Sequence, residues 1–303
     1  MDQQRFFLTE RIENFPRDLF IPEINEESKT TLKKMIVFGE ELQGIRQLFD
    51  IFIFNLEHMD EFCTMYYNDE IIKKKDGSSV TFTEINAFLI NVIGAGKTLT
   101  EAIEKFLNEE IGEEIGENFK KNYLSKKYDE SFSYRFLLYL RNFSQHGYLP
   151  VSQNFDGRFC FDLAQIINTR HIKPNAAIKK SMEDVYVELV EKVKTEPHIA
   201  FTYTLATFSL VVVEIYYNFL KEIELEVRLH HEQRNICLEQ HPELIFSQLG
   251  NLKNMVVFNE DNGALHMFSK EDNIWNMYVN LKKQAKEKVK LFNRIHTESL
   301  KLL

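Results

Sequence analysis

Between positions 85 and 107 the apolar residues Ile85, Phe88, Leu89, Val92, Ile93, Leu99, Ile103, Phe106 and Leu107 recur at intervals of three and four. That period puts them on one stripe of an α-helix, which must be buried against something else. Gly96 falls on the same stripe, where glycine weakens a helix by about 1 kcal/mol relative to alanine. The expected compensation is close approach of a neighbouring helix at Gly96. Thr81 and Glu84 have the spacing of a capping box ahead of this helix, after a loop over 73–79.

The same periodicity governs most of the chain. Asn25 can cap a long helix that carries Leu32, Met35, Leu42, Phe49, Phe52 and Leu56 and extends toward Tyr67. Residues 109–121 read as a charged helical continuation with a thin apolar edge of Ile111, Ile115 and Phe119. A helix from Phe132 ends at His146, because Gly147 suits the position after a helix and Pro150 cannot continue one. Residues 151–180 read as a mixed connection, followed by helices over 180–194, 198–240 and 271–295. Val256 to Phe258 and Leu265 to Phe268 suggest a hairpin around Asn262 and Gly263. The fold class is therefore mainly α, a multi-helix bundle with one small C-terminal β-hairpin. It is expected as a single domain over 1–303, with a core at about 25–240 and an appendage at 241–303.

Composition narrows the function classes. A net charge of −9 argues against a broadly basic surface, so contact with nucleic acid must be focal. Cys63, Cys160 and Cys237 are odd in number and form no CxxC pair, which fits free thiols in a reducing, cytoplasmic setting. The N-terminus shows no secretory signal pattern. Residues 199–220 are apolar, yet Thr202, Thr204, Thr207, Glu214 and Asn218 make them a buried core helix and not a membrane span. Gly94-Ala95-Gly96-Lys97-Thr98 is not a P-loop, since Asn91 stands where the pattern requires glycine and no strand precedes it.

The chemistry concentrates in Arg141-Asn142-Phe143-Ser144-Gln145-His146. Arg141 is always charged and His146 is titratable, a pair able to handle phosphate chemistry. On a regular helix the two side chains point about 140° apart, so they converge only if the helix end distorts or a second chain completes the site. Asn142, Ser144 and Gln145 could support them. A second match, Arg234-Asn235 with His241, has similar spacing but ranks lower because its surroundings are unlike the first. His230, Arg234, Cys237 and His241 share a helical stripe, but Arg234 in its middle would repel a cation, so no metal and no cofactor is expected.

An arginine followed by a polar residue, with histidine four to six positions on, resembles the signature of HEPN domains. The wider stretch from Tyr128-Asp129-Glu130 through Leu140-Arg141-Asn142 to His146-Gly147-Tyr148-Leu149-Pro150 resembles bacterial helical proteins that carry this motif. The resemblance is specific over residues 128–150. It implies a HEPN-like bundle acting as a metal-independent endoribonuclease on single-stranded or structured RNA, as a homodimer with two motifs facing each other. In it His146 serves as general acid or base, Arg141 holds the phosphate and Asn142 orients the pair. A toxin or phage-defence effector, with a neutralising partner, fits this reading. A non-catalytic binding or assembly protein that uses the motif as a polar interface is the alternative.

Overall fold

The computed structural model describes residues 26–68, 82–145, 148–154, 156–169, 176–192, 198–240, 255–259, 265–269 and 274–301. The long apolar stripes form long helices, α1 (Glu26–Tyr67) and α2 (Phe82–Phe106). A Cβ built on Gly96 would lie 3.0 Å from Phe208 and 3.2 Å from Phe52, so the close approach expected there is present. The capping residues Asn25 and Thr81 lie outside the described residues.

The charged segment after α2 is not one regular continuation. Leu107–Ile111 widens into a π-helical turn, and Gly112 takes φ +138°, a conformation that side-chain-bearing residues rarely adopt. Helix α3 (Glu113–Phe119) restarts there, followed by a second π-helical turn at Lys120–Ser125 and the short α4 (Lys126–Glu130). Its apolar edge is real, with Phe119 fully buried. Ser131 breaks the chain before α5 (Phe132–Gln145), and its Oγ accepts from Tyr134 N at 3.2 Å.

The connection expected over 151–180 contains structure of its own. β1 (Val151–Gln153) and β2 (Phe159–Asp162) pair antiparallel, Ser152 opposite Cys160, around a turn in which Asn154 Oδ1 accepts from Asp156 N and Arg158 N. Gly157 supplies the positive φ this turn needs. Asp162 caps α6 (Leu163–Ile167) by accepting from Gln165 N. β3 (His198–Ala200) pairs with β2, completing a sheet ordered β1-β2-β3. The helix expected from 198 therefore begins only at Phe201.

Two other helical expectations change. α7 (Ala176–Val187) starts before position 180 and passes into a π-helical turn at Glu188–Lys192. The single helix expected to reach position 240 is two, α8 (Phe201–Glu222) and α9 (Glu224–Gln240), separated at the buried Ile223. β4 (Met255–Asn259) and β5 (Leu265–Ser269) pair antiparallel, while the turn at Asn262 and Gly263 lies outside the described residues. The chain closes with α10 (Ile274–Leu300).

Two compact units emerge, one from 1–44 with 220–282, the other from 45–219 with 283–303. The expected boundary at 241 falls outside the described residues. In the first unit the rings of Phe38 and His230 lie 4.5 Å apart, Tyr278 OH donates to Leu220 O at 2.7 Å, and Lys282 pairs with Glu224. In the second, Phe49 stacks on Tyr216 at 4.0 Å and Phe106 meets Phe219 edge-on. α8 is, among the described residues, the one helix long and apolar enough to cross a membrane, and most of its apolar window is buried in protein. Thr204 and Ser209 on it are buried and donate back to carbonyls one turn earlier, which removes the cost of an unpaired hydroxyl.

Candidate functional site

α5 is strongly amphipathic. Phe136, Leu137, Leu140 and Phe143 are buried, and this face fixes the rotation of the helix. Arg141 and Ser144, one turn apart at its C-terminal end, then share a strip that opens on a cavity of about 560 Å³. That volume is in the range of small-ligand sites.

Two more helices build the walls. α1 contributes the aliphatic Leu48 and Ile51 with Asn55, and α2 contributes Ile90, Asn91 and Thr98 over a floor at Gly94 and Ala95. A Cβ on Gly94 would meet nothing within 4 Å, so this glycine widens the cavity without being required by packing. Ser144 Oγ donates to Leu140 O at 3.0 Å, and Asn55 Nδ2 donates to Ile51 O at 2.8 Å. Each keeps acceptor capacity, and the Asn55 amide keeps one N–H.

The electrostatics are one-sided. Among the described residues, Arg141 is the one charged side chain lining the cavity, and no carboxylate lines it. The nearby Lys97 is instead directed to Glu101, 3.5 Å away on its own helix. A guanidinium facing an aliphatic cavity, unopposed by a carboxylate there, suits a ligand bearing a phosphate or carboxylate, which it can engage with two parallel hydrogen bonds. Gly94 to Thr98 lie wholly inside α2, where the backbone N–H groups are used by the helix. The cavity takes side chains from this segment, not a phosphate-cradling loop.

Of the residues singled out in the sequence, Arg141 and Ser144 meet at the cavity. Asn142 is exposed and does not line it, as expected from the 100° turn between successive helical residues. His146 and the side chain of Gln145 lie outside the described residues. In the second match Arg234 is buried at 5% exposure within α9, and Asn235 Nδ2 lies 3.2 Å from His231 Nε2, while His241 lies outside the described residues. His230 pairs with Glu226 at 3.4 Å, and burial holds its imidazole below the ordinary pKa. Among the described residues no three potential ligands gather for a metal.

Sequence reasoning missed Asn55, Asn91 and Thr98 as cavity residues. The signal available was a polar residue at the edge of an otherwise apolar helical stripe, which ordinarily marks nothing more than the solvent boundary. Another part of the resembling stretch turns out to be architectural. Arg135 Nη1 donates to the carbonyls of Tyr128 and Asp129 at 2.9 and 3.0 Å, and its Nη2 donates to Ser181 Oγ at 2.7 Å. It thereby satisfies the open C-terminal carbonyls of α4 and ties α5 to α7.

No family model matches this chain, and no curated protein or solved structure matches it either.

Proposed function

We propose that the chain is a HEPN-like, metal-independent endoribonuclease whose phosphate-holding residue is Arg141. One observation carries the reading: among the described residues, a single guanidinium and no carboxylate line a ligand-sized cavity. Such a group binds a phosphodiester and stabilises the charge that grows on it during attack. His146, five positions on, takes the proton from the ribose 2′-hydroxyl as that oxygen attacks phosphorus. The 5′-oxygen leaves, is protonated by a second imidazolium, and a 2′,3′-cyclic phosphate remains.

The 140° between Arg141 and His146 on a regular helix is resolved in a homodimer, where two copies of the motif complete one another. Asn142, exposed beside Arg141, then faces the second copy and not the cavity. The protein acts in the cytoplasm as a toxin or phage-defence effector, held in check by a neutralising partner. Purified protein should cleave single-stranded or structured RNA in EDTA and leave 2′,3′-cyclic phosphate ends. Arg141→Ala and His146→Ala should each lower the rate by about 10²-fold or more. Cleavage by His146→Ala at the parent rate would sink the assignment.

The second reading, a non-catalytic binding or assembly protein, draws on the exposure of Asn142 and on the aliphatic walls of the cavity. It is distinguished by a partner complex that Arg141→Ala disrupts, together with no cleavage of any RNA by the parent protein.

A further inference from the structure

The helix that gives Ile51 and Asn55 to the cavity carries an exposed aromatic pair immediately beside them. Phe54 is 58% exposed, unusual for so large an apolar ring, and its centroid lies 4.0 Å from that of His58. His58 Nδ1–H donates to the Phe54 carbonyl at 3.0 Å. A carbonyl can only accept, so this contact holds when Nδ1 carries a proton. The ring pair is thus fixed to its own helix while both residues stay exposed.

We infer that Phe54 and His58 form a stacking platform for an unpaired nucleobase of single-stranded RNA whose phosphate is held at Arg141. This rests on the RNA-cleaving reading above and extends it from the phosphate to the base. Phe54 follows Ile51 by three residues, a rise of roughly 4.5 Å, so platform and cavity adjoin. Among the described residues the cavity lining, Arg141 aside, is aliphatic, amide and hydroxyl with no aromatic ring, so Phe54 beside it offers a base the π-face the lining does not. Stacking on an aromatic side chain contributes about 1–3 kcal/mol per base and tolerates any base. The charge and the platform therefore divide the work, since Arg141 grips backbone and Phe54 selects unpaired over paired strands.

The test uses the full chain and two labelled probes followed by fluorescence anisotropy. One is a 2′-O-methyl RNA octamer, which cannot be cleaved. The other is an abasic octamer with the same phosphates. Phe54→Ala should weaken binding of the base-bearing octamer by about 5- to 150-fold, the range that stacking energies imply, and leave the abasic one unchanged. Phe54→Trp should retain binding, and Arg141→Ala should weaken both probes. Parent-like binding of the base-bearing octamer by Phe54→Ala, or equal weakening of the two probes, overturns the platform. If the platform alone is wrong, Arg141→Ala still weakens both probes. If the parent binds neither, the RNA reading falls with it.

Discussion

Replacing Gly96 by alanine adds a methyl group 3.0 and 3.1 Å from two ring atoms of Phe208 and 3.2 Å from Phe52. Carbon atoms in good contact sit about 3.5–4.0 Å apart, so a ring must move by several tenths of an ångström. Both rings are fully buried, and Phe208 is also held by Tyr134, with centroids 5.6 Å apart. Overpacking of this kind costs about 1–3 kcal/mol, whereas removing glycine from a helix interior gains about 0.5–1 kcal/mol. The net for Gly96→Ala is a loss of about 1 kcal/mol. Gly94, two residues earlier on the same helix, isolates the propensity term, because its added Cβ touches nothing. Gly94→Ala should gain about 0.5–1 kcal/mol, leaving the two variants about 2 kcal/mol apart, or about 4–8 °C in midpoint for a unit of this size. Thermal and urea unfolding followed by circular dichroism would measure the gap. If Gly96→Ala matches or exceeds Gly94→Ala, the close approach does not explain the glycine.

Burial pushes the Tyr134 hydroxyl up to about 12, against a hydrogen bond with Thr100 that lowers it, and burial with Asp60 nearby pushes the Cys63 thiol up to about 12. Both folded values exceed the unfolded ones, so their contribution is complete below about pH 9 and is lost as pH rises toward 12. The urea midpoint should therefore fall above about pH 9, and Tyr134→Phe should flatten the part of that fall above about pH 10. An unchanged slope would contradict the burial of that hydroxyl. Arg135→Ala should destabilise by about 1–3 kcal/mol through the stranded carbonyls of α4, and Arg135→Lys should recover less than half, because an ammonium cannot reproduce the fork. Full recovery by lysine in urea unfolding would show that charge alone suffices there.

Much of the helical architecture was legible because its period is long enough to count. The stripe from Ile85 to Leu107 spans many turns, and its one irregular member, Gly96, named its own reason. The sheet was not legible, for physical causes that differ strand by strand. Phe159, Cys160 and Phe161 are all buried, so β2 shows no alternation, and β1 and β3 are three residues long, too short for any period. His198 to Ala200 read as helix because the apolar run that follows is helical. The break at Ile223 carries no glycine or proline, only a buried residue between two glutamates, so nothing local announced it.

The site divides along the same line. Arg135 and Arg141 lie six residues apart on one helix and are chemically identical, and nothing in the chain's spacing separates a structural guanidinium from a ligand-holding one. What separates them is tertiary: α4 ends where Arg135 can cap its carbonyls, whereas α1 and α2 leave Arg141 a cavity without a carboxylate among its described lining residues. The Arg135 guanidinium commits both Nη groups to neighbouring carbonyls and to Ser181, and so strengthens the scaffold. On the proposed reading, Arg141, which lines a cavity with no carboxylate among the described residues, keeps its donors for a ligand. On the proposed reading, Arg141 draws its role less from the spacing of its motif than from Asn55, Asn91 and Thr98, polar residues on helices far away in sequence that line the same cavity.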